Sequence, residues 1–343
     1  MRRFILVSFA MLLFTLVSAQ KKDQELTLMF YNVENLFDTE NNPEKNDDEF
    51  TPDSEKAWDI EKYEKKLNDI ASVIKAVNKV ELPEIVGLCE VENIKVLEDL
   101  IQTKGLKRGD YGIIHHESPD TRGIDCALLY NTETFHVLSN EALPVSFPFD
   151  SSMTTRDILY VKGKTENNEI LHLFINHWSS RWGGQKESEP KRLYCAVTLR
   201  KAIDNVMNED SHSKIIIMGD FNDEPTNRSI YEMLLANNKR KNAADRELYN
   251  LMYDGHNQRN EGSYNYQGNW EMMDQIIVSR SVITDRKGWH ADYGDGKILK
   301  AEFMLYYDEN RKDYVPNRSY GGPNYYGGIS DHLPVYFTLK NKK

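Results

Sequence analysis

The chain has 343 residues, 40% of them hydrophobic and 28% charged, with 43 Lys and Arg against 54 Asp and Glu and a formal net charge of −11. That length and balance fit one large or two small globular domains; they exclude a disordered chain, a fibrous repeat and, with three cysteines, a disulfide-stapled scaffold. The charge also excludes a sequence-independent coat for nucleic acid, so any polyanion has to be handled at a local site.

Residues 1–19 read as a cleaved export signal. Arg2 and Arg3 precede a mostly apolar run from Phe4 to Val17, 14 residues long. That is short for a membrane span, and Val17-Ser18-Ala19 then offers small residues at the −3 and −1 positions of a cleavage site. The mature chain, residues 20–343, loses two arginines and carries −13. It is expected in the periplasm or outside the cell, without stable membrane insertion and with no protein partner indicated. Cys89 and Cys126 lie in apolar runs and read as buried thiols, although one bridge remains open in an oxidising compartment.

Leu26–Val33 (LTLMFYNV) reads as a strand, and residues 39–56 as a polar loop. Ile60, Tyr63, Leu67, Ile70, Ile74 and Val77 recur at helical spacing. Glu84–Val91 is a short apolar strand, followed by a brief helix opening at Asn93. Tyr111–His115 and Asp125–Tyr130 are strands split by the turn-rich SPDTRG. Leu171–Asn176 and Ile215–Met218 are strands, with a helix between them marked by Leu193, Val197, Ile203 and Val206. Gln275–Val278 and Pro334–Leu339 are the last strands. This interleaving of strands and helices implies an α/β or α+β class in one domain.

The chemistry-bearing residues sit at the ends of these strands, where such folds gather reactive groups. Asn32 and Glu34 follow LTLMFY; Glu90 ends EIVGLC; His177 ends LHLFIN; Asp220 and Asn222 end IIIMGDFN. Asp274 precedes QIIV, and Asp331-His332 precedes LPVYF. Acids, amides and two histidines without a cysteine pair or a His-x-x-x-His spacing suit a hard divalent cation, Mg²⁺ or Mn²⁺, better than zinc.

In order, FYNVENLFD, GLCEVEN, RGIDCALLYN, NHWSSRWGG, GDFND, MDQIIVS and SDHLPV resemble the motifs of the endonuclease/exonuclease/phosphatase superfamily, from Leu26 to Leu339. The resemblance implies a four-layer α/β sandwich, two packed mixed sheets flanked by helices, and a metal-dependent phosphoric ester hydrolase. It implies that Asn32 and Glu90 hold the metal and that Asp331 completes the acidic pocket. Asp220 and Asn222 would position the attacking water and the transition-state oxygens. His332 would serve as general base or stabilise developing charge, oriented by Asp274, and His177 would bind phosphate or protonate the leaving group. Such chemistry needs charge stabilisation, a directed water and a proton source.

Substrate contacts are read from charge. Arg181–Lys201 holds six basic residues against Glu187 and Glu189, a local +4 able to steer a phosphate backbone, although Arg200 and Lys201 fit a solvated helix face. Arg181 and Arg122 are the phosphate-clamp candidates. Trp178, Trp182 and the Tyr- and Arg-rich residues 311–328 either stack on substrate or build the surface. The remaining histidines, His115 among them, carry no motif. The reading is a secreted Mg²⁺-dependent nuclease acting on nucleic acid, with a phosphatase or sphingomyelinase-like lipid phosphodiesterase as the alternative. A lipid enzyme would need an exposed apolar hairpin, and none is evident in the sequence.

Overall fold

The computed structural model describes residues 24–342 apart from Lys79, Asp245 and Arg286. The expected export signal, residues 1–19, lies outside the described residues.

β1 (Glu25–Leu36) leads to α1 (Ile60–Ala76), β2 (Ile85–Val91) and α2 (Ile94–Gln102). β3 (Tyr111–His115), β4 (Asp125–Asn131), β5 (Phe135–Leu143), β6 (Ile158–Thr165) and β7 (Ile170–His177) follow, then α3 (Gln185–Glu209) and β8 (Lys214–Asp220). Next come β9 (Ala236–Asn237), β10 (Leu248–Asn250), the hairpin of β11 (Tyr264–Tyr266) and β12 (Asn269–Glu271), and β13 (Asp274–Ser279). The chain continues through β14 (Gly288–His290), β15 (Lys297–Ile298), β16 (Leu305–Asp308), β17 (Asp313–Pro316), β18 (Tyr320–Gly321), β19 (Asn324–Tyr325) and β20 (Val335–Lys342).

Two seven-stranded sheets result. One runs β14-β20-β1-β2-β4-β3 with β15 beside β20; the other runs β5-β6-β7-β8-β13-β10-β9. Period-2 alternation explains why they pack. On β1, Leu26, Leu28 and Phe30 enter the core between the sheets, where Leu171, Leu173 and Ile175 of β7 meet them. Met29, Tyr31 and Val33 point the other way, onto Ile70, Val73 and Ile74 of α1 and Leu97 of α2. Ile215 and Ile217 of β8 face Leu199 and Ile203 of α3. The fold is therefore a four-layer α/β sandwich, helices–sheet–sheet–helix. Strands covered on both faces read as continuous apolar runs, which is why these were visible in the sequence. The helix starts follow local chemistry: Asp59 accepts from Lys62 N at 3.0 Å and Asn93 from Val96 N at 3.1 Å.

The structure differs from the sequence reading in several strands and in the start of one helix, and it bears out the buried thiols expected at Cys89 and Cys126. β5 and β6 were not expected. β5 is an edge strand with a largely exposed polar face, and β6 alternates polar with apolar residues, so neither forms an apolar run. α3 begins at Gln185, well before the first periodic apolar residue, and tolerates Pro190 near its start. All three cysteines are buried free thiols.

β20 alternates cleanly, with Val335, Phe337 and Leu339 in the inter-sheet core. Phe337→Ala should lower unfolding free energy by roughly 3–5 kcal/mol through lost burial and the cavity left behind. Urea titration measures it, and a loss below about 1 kcal/mol would contradict this packing assignment.

Candidate active site

Strand direction brings the candidate residues together. β1 and β2 run parallel, as do β7 and β8. Their C-terminal ends, bearing Asn32, Glu90, His177 and Asp220, therefore lie at one edge of the sandwich. β20 and β13 run antiparallel to β1 and β8, so their N-terminal ends, with His332 just ahead of β20 and Asp274 opening β13, reach the same edge.

Asn32 is the junction. Its Nδ2 donates to Asp220 Oδ2 at 3.0 Å, its Oδ1 accepts from Glu34 N at 3.0 Å, and its carbonyl accepts from Ser330 Oγ at 2.7 Å. Asp220 Oδ1 accepts from Asn222 N at 2.9 Å, while Asn222 Nδ2 donates to the Trp178 carbonyl at 3.0 Å. Asp274 opens β13 opposite Asp220 in the β8–β13 register. Its Oδ2 accepts from Ser263 Oγ at 2.6 Å and lies 2.7 Å from His332 Nδ1. Tyr264 lies over the His332 ring, with centroids 4.8 Å apart. His332 Nε2 then faces Asp220 Oδ2 at 3.8 Å. His177 Nε2 stands 3.7 Å from Asp220 and 3.8 Å from Glu90, beyond hydrogen-bond reach of either.

The two imidazoles are driven in opposite directions. Burial penalises the charge on His332, but Asp274 and Asp220 outweigh it and hold the group well above its usual value. For His177, burial, Arg156, Arg122 and His332 all act downward, so it stays neutral. Burial and Asp274 push Asp220 up to about 6 against the opposing pull of His332.

The arginines are already engaged. Arg122 donates to Asn35 Oδ1 and stands 3.6 Å from Glu90. Arg181 donates to the Asn222 carbonyl at 2.8 Å, to Glu271 at 3.1 Å and to Asn227 at 3.2 Å. Arg318, from the Tyr-rich segment, pairs with Asp331 at 2.6 Å and with Glu34 at 3.7 Å. Two of the six residues leave the expected basic strip: Arg192 is fully buried beside Asp223 and Ser188, and Arg200, expected on a solvated helix face, is buried against Asp204 and the Leu234 and Arg246 carbonyls. Trp178 is buried against Phe221, whereas Trp182 is 89% exposed. His115, which carries no motif, pairs with buried Asp125 at 3.2 Å.

These groups surround a pocket of about 800 Å³ lined by Glu34, Glu90, Arg122, His177, Arg181, Trp182, Asp220, Asn222, Tyr264, Arg318, Asp331 and His332, among others. Asn32 and Asp274 stand directly behind Asp220 and His332. The eleven residues singled out at the strand ends and as phosphate clamps thus converge on one place. The structure adds Ser263, Ser330, Tyr264 and Arg156, which position the others. Arg156 is buried, pairs with Asp120 at 3.1 Å and donates to the Trp178 carbonyl at 2.6 Å. Ser330 opens the SDHLPV motif, while no motif distinguishes the other three in the sequence.

The donor set fits a hard divalent cation. Glu34, Glu90 and Asp331 line the pocket with oxygen ligands. Burial, and after it Asp331, push Glu34 up to about 7 against the opposing pull of Lys66 and Arg318. Asp220, Asp274 and His332 also bring one ligand atom each within 4.8 Å of one another, but Asp274 is committed to His332 and Ser263. Glu34 (φ 50°), Glu90 (φ 62°) and Asn222 (φ 49°) all have left-handed backbone. Such backbone costs of order 1–3 kcal/mol for a non-glycine residue and clusters at functional sites.

Fold and site together define a phosphoesterase scaffold. The chain belongs to the endonuclease/exonuclease/phosphatase family, whose description matches residues 27–341. It is similar to a solved family member from Bacteroides thetaiotaomicron at 18% identity and TM-score 0.56, covering 94% of this chain and all of that one. The human Nocturnin catalytic domain with bound sulfate is similar at 15% identity and TM-score 0.55, over 94% and 97% of the two chains. A mannosyl-6-phosphatase from B. thetaiotaomicron is similar at 17% and 0.55, over 92% and 99%. No curated protein matches the chain significantly in sequence.

The opposed shifts predict a bell-shaped pH profile for kcat/KM. Activity should fall as pH drops through about 6, where Asp220 takes up a proton. It should fall again well above 6.5, where His332 loses the proton that Asp274 helps hold. Asp274→Asn removes that support, so the alkaline limb should move to lower pH. A limb that stays in place would show that Asp274 does not set the His332 charge.

Proposed function

We propose that the chain is a Mg²⁺-dependent phosphoester hydrolase acting as a nuclease, which cleaves phosphodiesters by in-line attack of water. The observation that carries the reading is the pairing of a carboxylate-held His332 with a neutral His177 across Asp220 and Asn222, in a pocket far larger than one phosphoryl group. That room accommodates ester groups on both sides of the phosphorus. Glu90 and Asn32, with Glu34 and Asp331 beside them, would hold Mg²⁺ or Mn²⁺, which supplies polarisation of a phosphoryl oxygen. Asp220 and Asn222 orient the water. His332, held cationic, stands by the developing charge, and His177 is placed for the phosphate or leaving oxygen. Export through the N-terminal segment would put this activity in the periplasm or outside the cell.

The burial of Arg192 and Arg200 favours a second reading, a phosphatase for small phosphoesters, because it leaves fewer cations beside the pocket for a long phosphate backbone. The lipid reading gains less. The β16–β17 hairpin exposes Tyr306, Tyr307 and Tyr314 but turns through the charged DENRKD, and among the described residues no helix is long and apolar enough to cross a membrane.

A panel of single-stranded and duplex DNA, RNA, sugar phosphates and sphingomyelin, each with Mg²⁺ or chelator, separates these readings. Hydrolysis should vanish in chelator and return with Mg²⁺ or Mn²⁺. His332→Ala and His177→Ala should each lower kcat by about 10²–10⁴-fold, with thermal melts near wild type. Activity that survives complete chelation would sink the metal assignment.

A further inference from the structure

The phosphoester chemistry leaves one large side chain at the pocket unused. Trp182 is 89% exposed, yet it lines the same pocket as His177 and His332. Indole is a large apolar surface that folding usually covers. Here the backbone is held while the ring is left free. Arg181, just before it, is fixed by the Asn222 carbonyl and Glu271. Gly184 N donates to the Arg181 carbonyl at 2.9 Å and closes a turn over Trp182. Gly183 and Gly184 adopt φ of 81° and 121°, which side-chain-bearing residues rarely do, and a Cβ on Gly184 would come within 2.0 Å of Glu187. Among the described residues, the Trp182 ring has neither a stacking partner nor a hydrogen bond. Tyr266, 52% exposed, lines the same pocket from the β11–β12 hairpin, which Arg181 ties to this loop through Glu271.

Resting on the nuclease reading, we propose that Trp182 is a base-stacking platform that receives the heterocycle of a nucleotide adjoining the scissile phosphate, so that the preferred substrate is single-stranded or frayed nucleic acid. The partner of a free, rigidly mounted planar ring is another planar apolar face, and every base offers one. Electrostatics point the same way. Arg122, Arg181 and Arg318 are already paired with carboxylates, and the helix that follows buries its arginines. A long run of phosphates therefore finds little cationic track, and affinity has to come from uncharged contact near the site. In an intact duplex both faces of a base are already covered by its neighbours, so the indole gains a partner only where a base is unstacked.

The test uses the exposure of this one ring. Trp58, Trp178 and Trp289 are buried, and Trp270 is half-buried with its Nε1 bonded to Asp313, so quenching by an added base reports chiefly on Trp182. The full protein in chelator is titrated with a single-stranded octadeoxynucleotide and with an abasic oligomer of the same backbone. The base-bearing strand should quench, the abasic one should not, and Trp182→Ala should abolish the effect. With Mg²⁺, Trp182→Ala should raise KM for that strand by about 5- to 150-fold, more than it changes kcat, and Trp182→Phe should restore most of the loss. Equal quenching by the abasic strand, an unchanged KM, or equal cleavage of intact duplex would overturn the proposal. Quenching by a sugar phosphate but not by the oligonucleotide would overturn it too, by placing a pyranose face on the indole. Base-dependent quenching without hydrolysis of any phosphoester would uphold the stacking site and refute the nuclease reading, so the two fail separately.

Discussion

The buried hydrogen bond from Asn32 Nδ2 to Asp220 Oδ2 joins the end of β1 in one sheet to the end of β8 in the other, and the rest of the site is built on it. The same amide takes the Glu34 N–H, and the same residue's carbonyl takes the Ser330 hydroxyl, which in turn accepts the His332 N–H at 3.0 Å. One side chain and one peptide group thus fix the relative placement of the acidic corner, the Asp220 carboxylate and the segment carrying His332. Such a junction is costly to break, because a buried carboxylate that loses its donor keeps its full desolvation penalty.

From that junction follows a division of charge. Asp220 lies between two imidazoles with nearly equal approach distances, 3.7 and 3.8 Å. They nonetheless hold opposite protonation states. His332 backs onto Asp274, whose other partner is the Ser263 hydroxyl, so its imidazolium has a dedicated counter-ion. His177 has no such partner, and Arg156 and Arg122 repel a proton from it. The two imidazoles beside Asp220 are thus pushed apart, one toward its charged form and the other toward its neutral form, which is the pattern by which paired groups in one site take different parts in acid–base chemistry.

Much of this was legible in the sequence, for physical reasons. LTLMFY, EIVGLC, LHLFIN and IIIM are apolar on both faces because sheets and helices cover both faces, and a polar residue ending such a run has few structural reasons to be there. The positions of Asn32, Glu90, His177 and Asp220 could therefore be read directly. β5 could not, since an edge strand with a wet face resembles any polar loop, nor could β6, whose lysines and glycine interrupt the apolar run. The arginines misled for a related reason: sequence charge does not reveal whether a guanidinium meets a carboxylate. Arg192 finds Asp223 across a helix–loop contact that no local pattern announces. Ser263 was equally invisible, and Ser330, although inside SDHLPV, carried no role there, because a serine becomes a positioning group only through the tertiary contact it makes.

The left-handed backbone at Glu34 and Glu90 carries a consequence for how this protein would respond to engineering. Asparagine tolerates such angles, whereas glutamate ordinarily does not, and glycine adopts them freely. Glycine at either position would relieve backbone strain, but it would also strip the acceptor from Ser319 N at 2.7 Å and from Asn35 N at 2.9 Å. The strained angles are thus locked in by the hydrogen bonds that the two carboxylates make, and a selection for heat resistance finds little to gain at either residue.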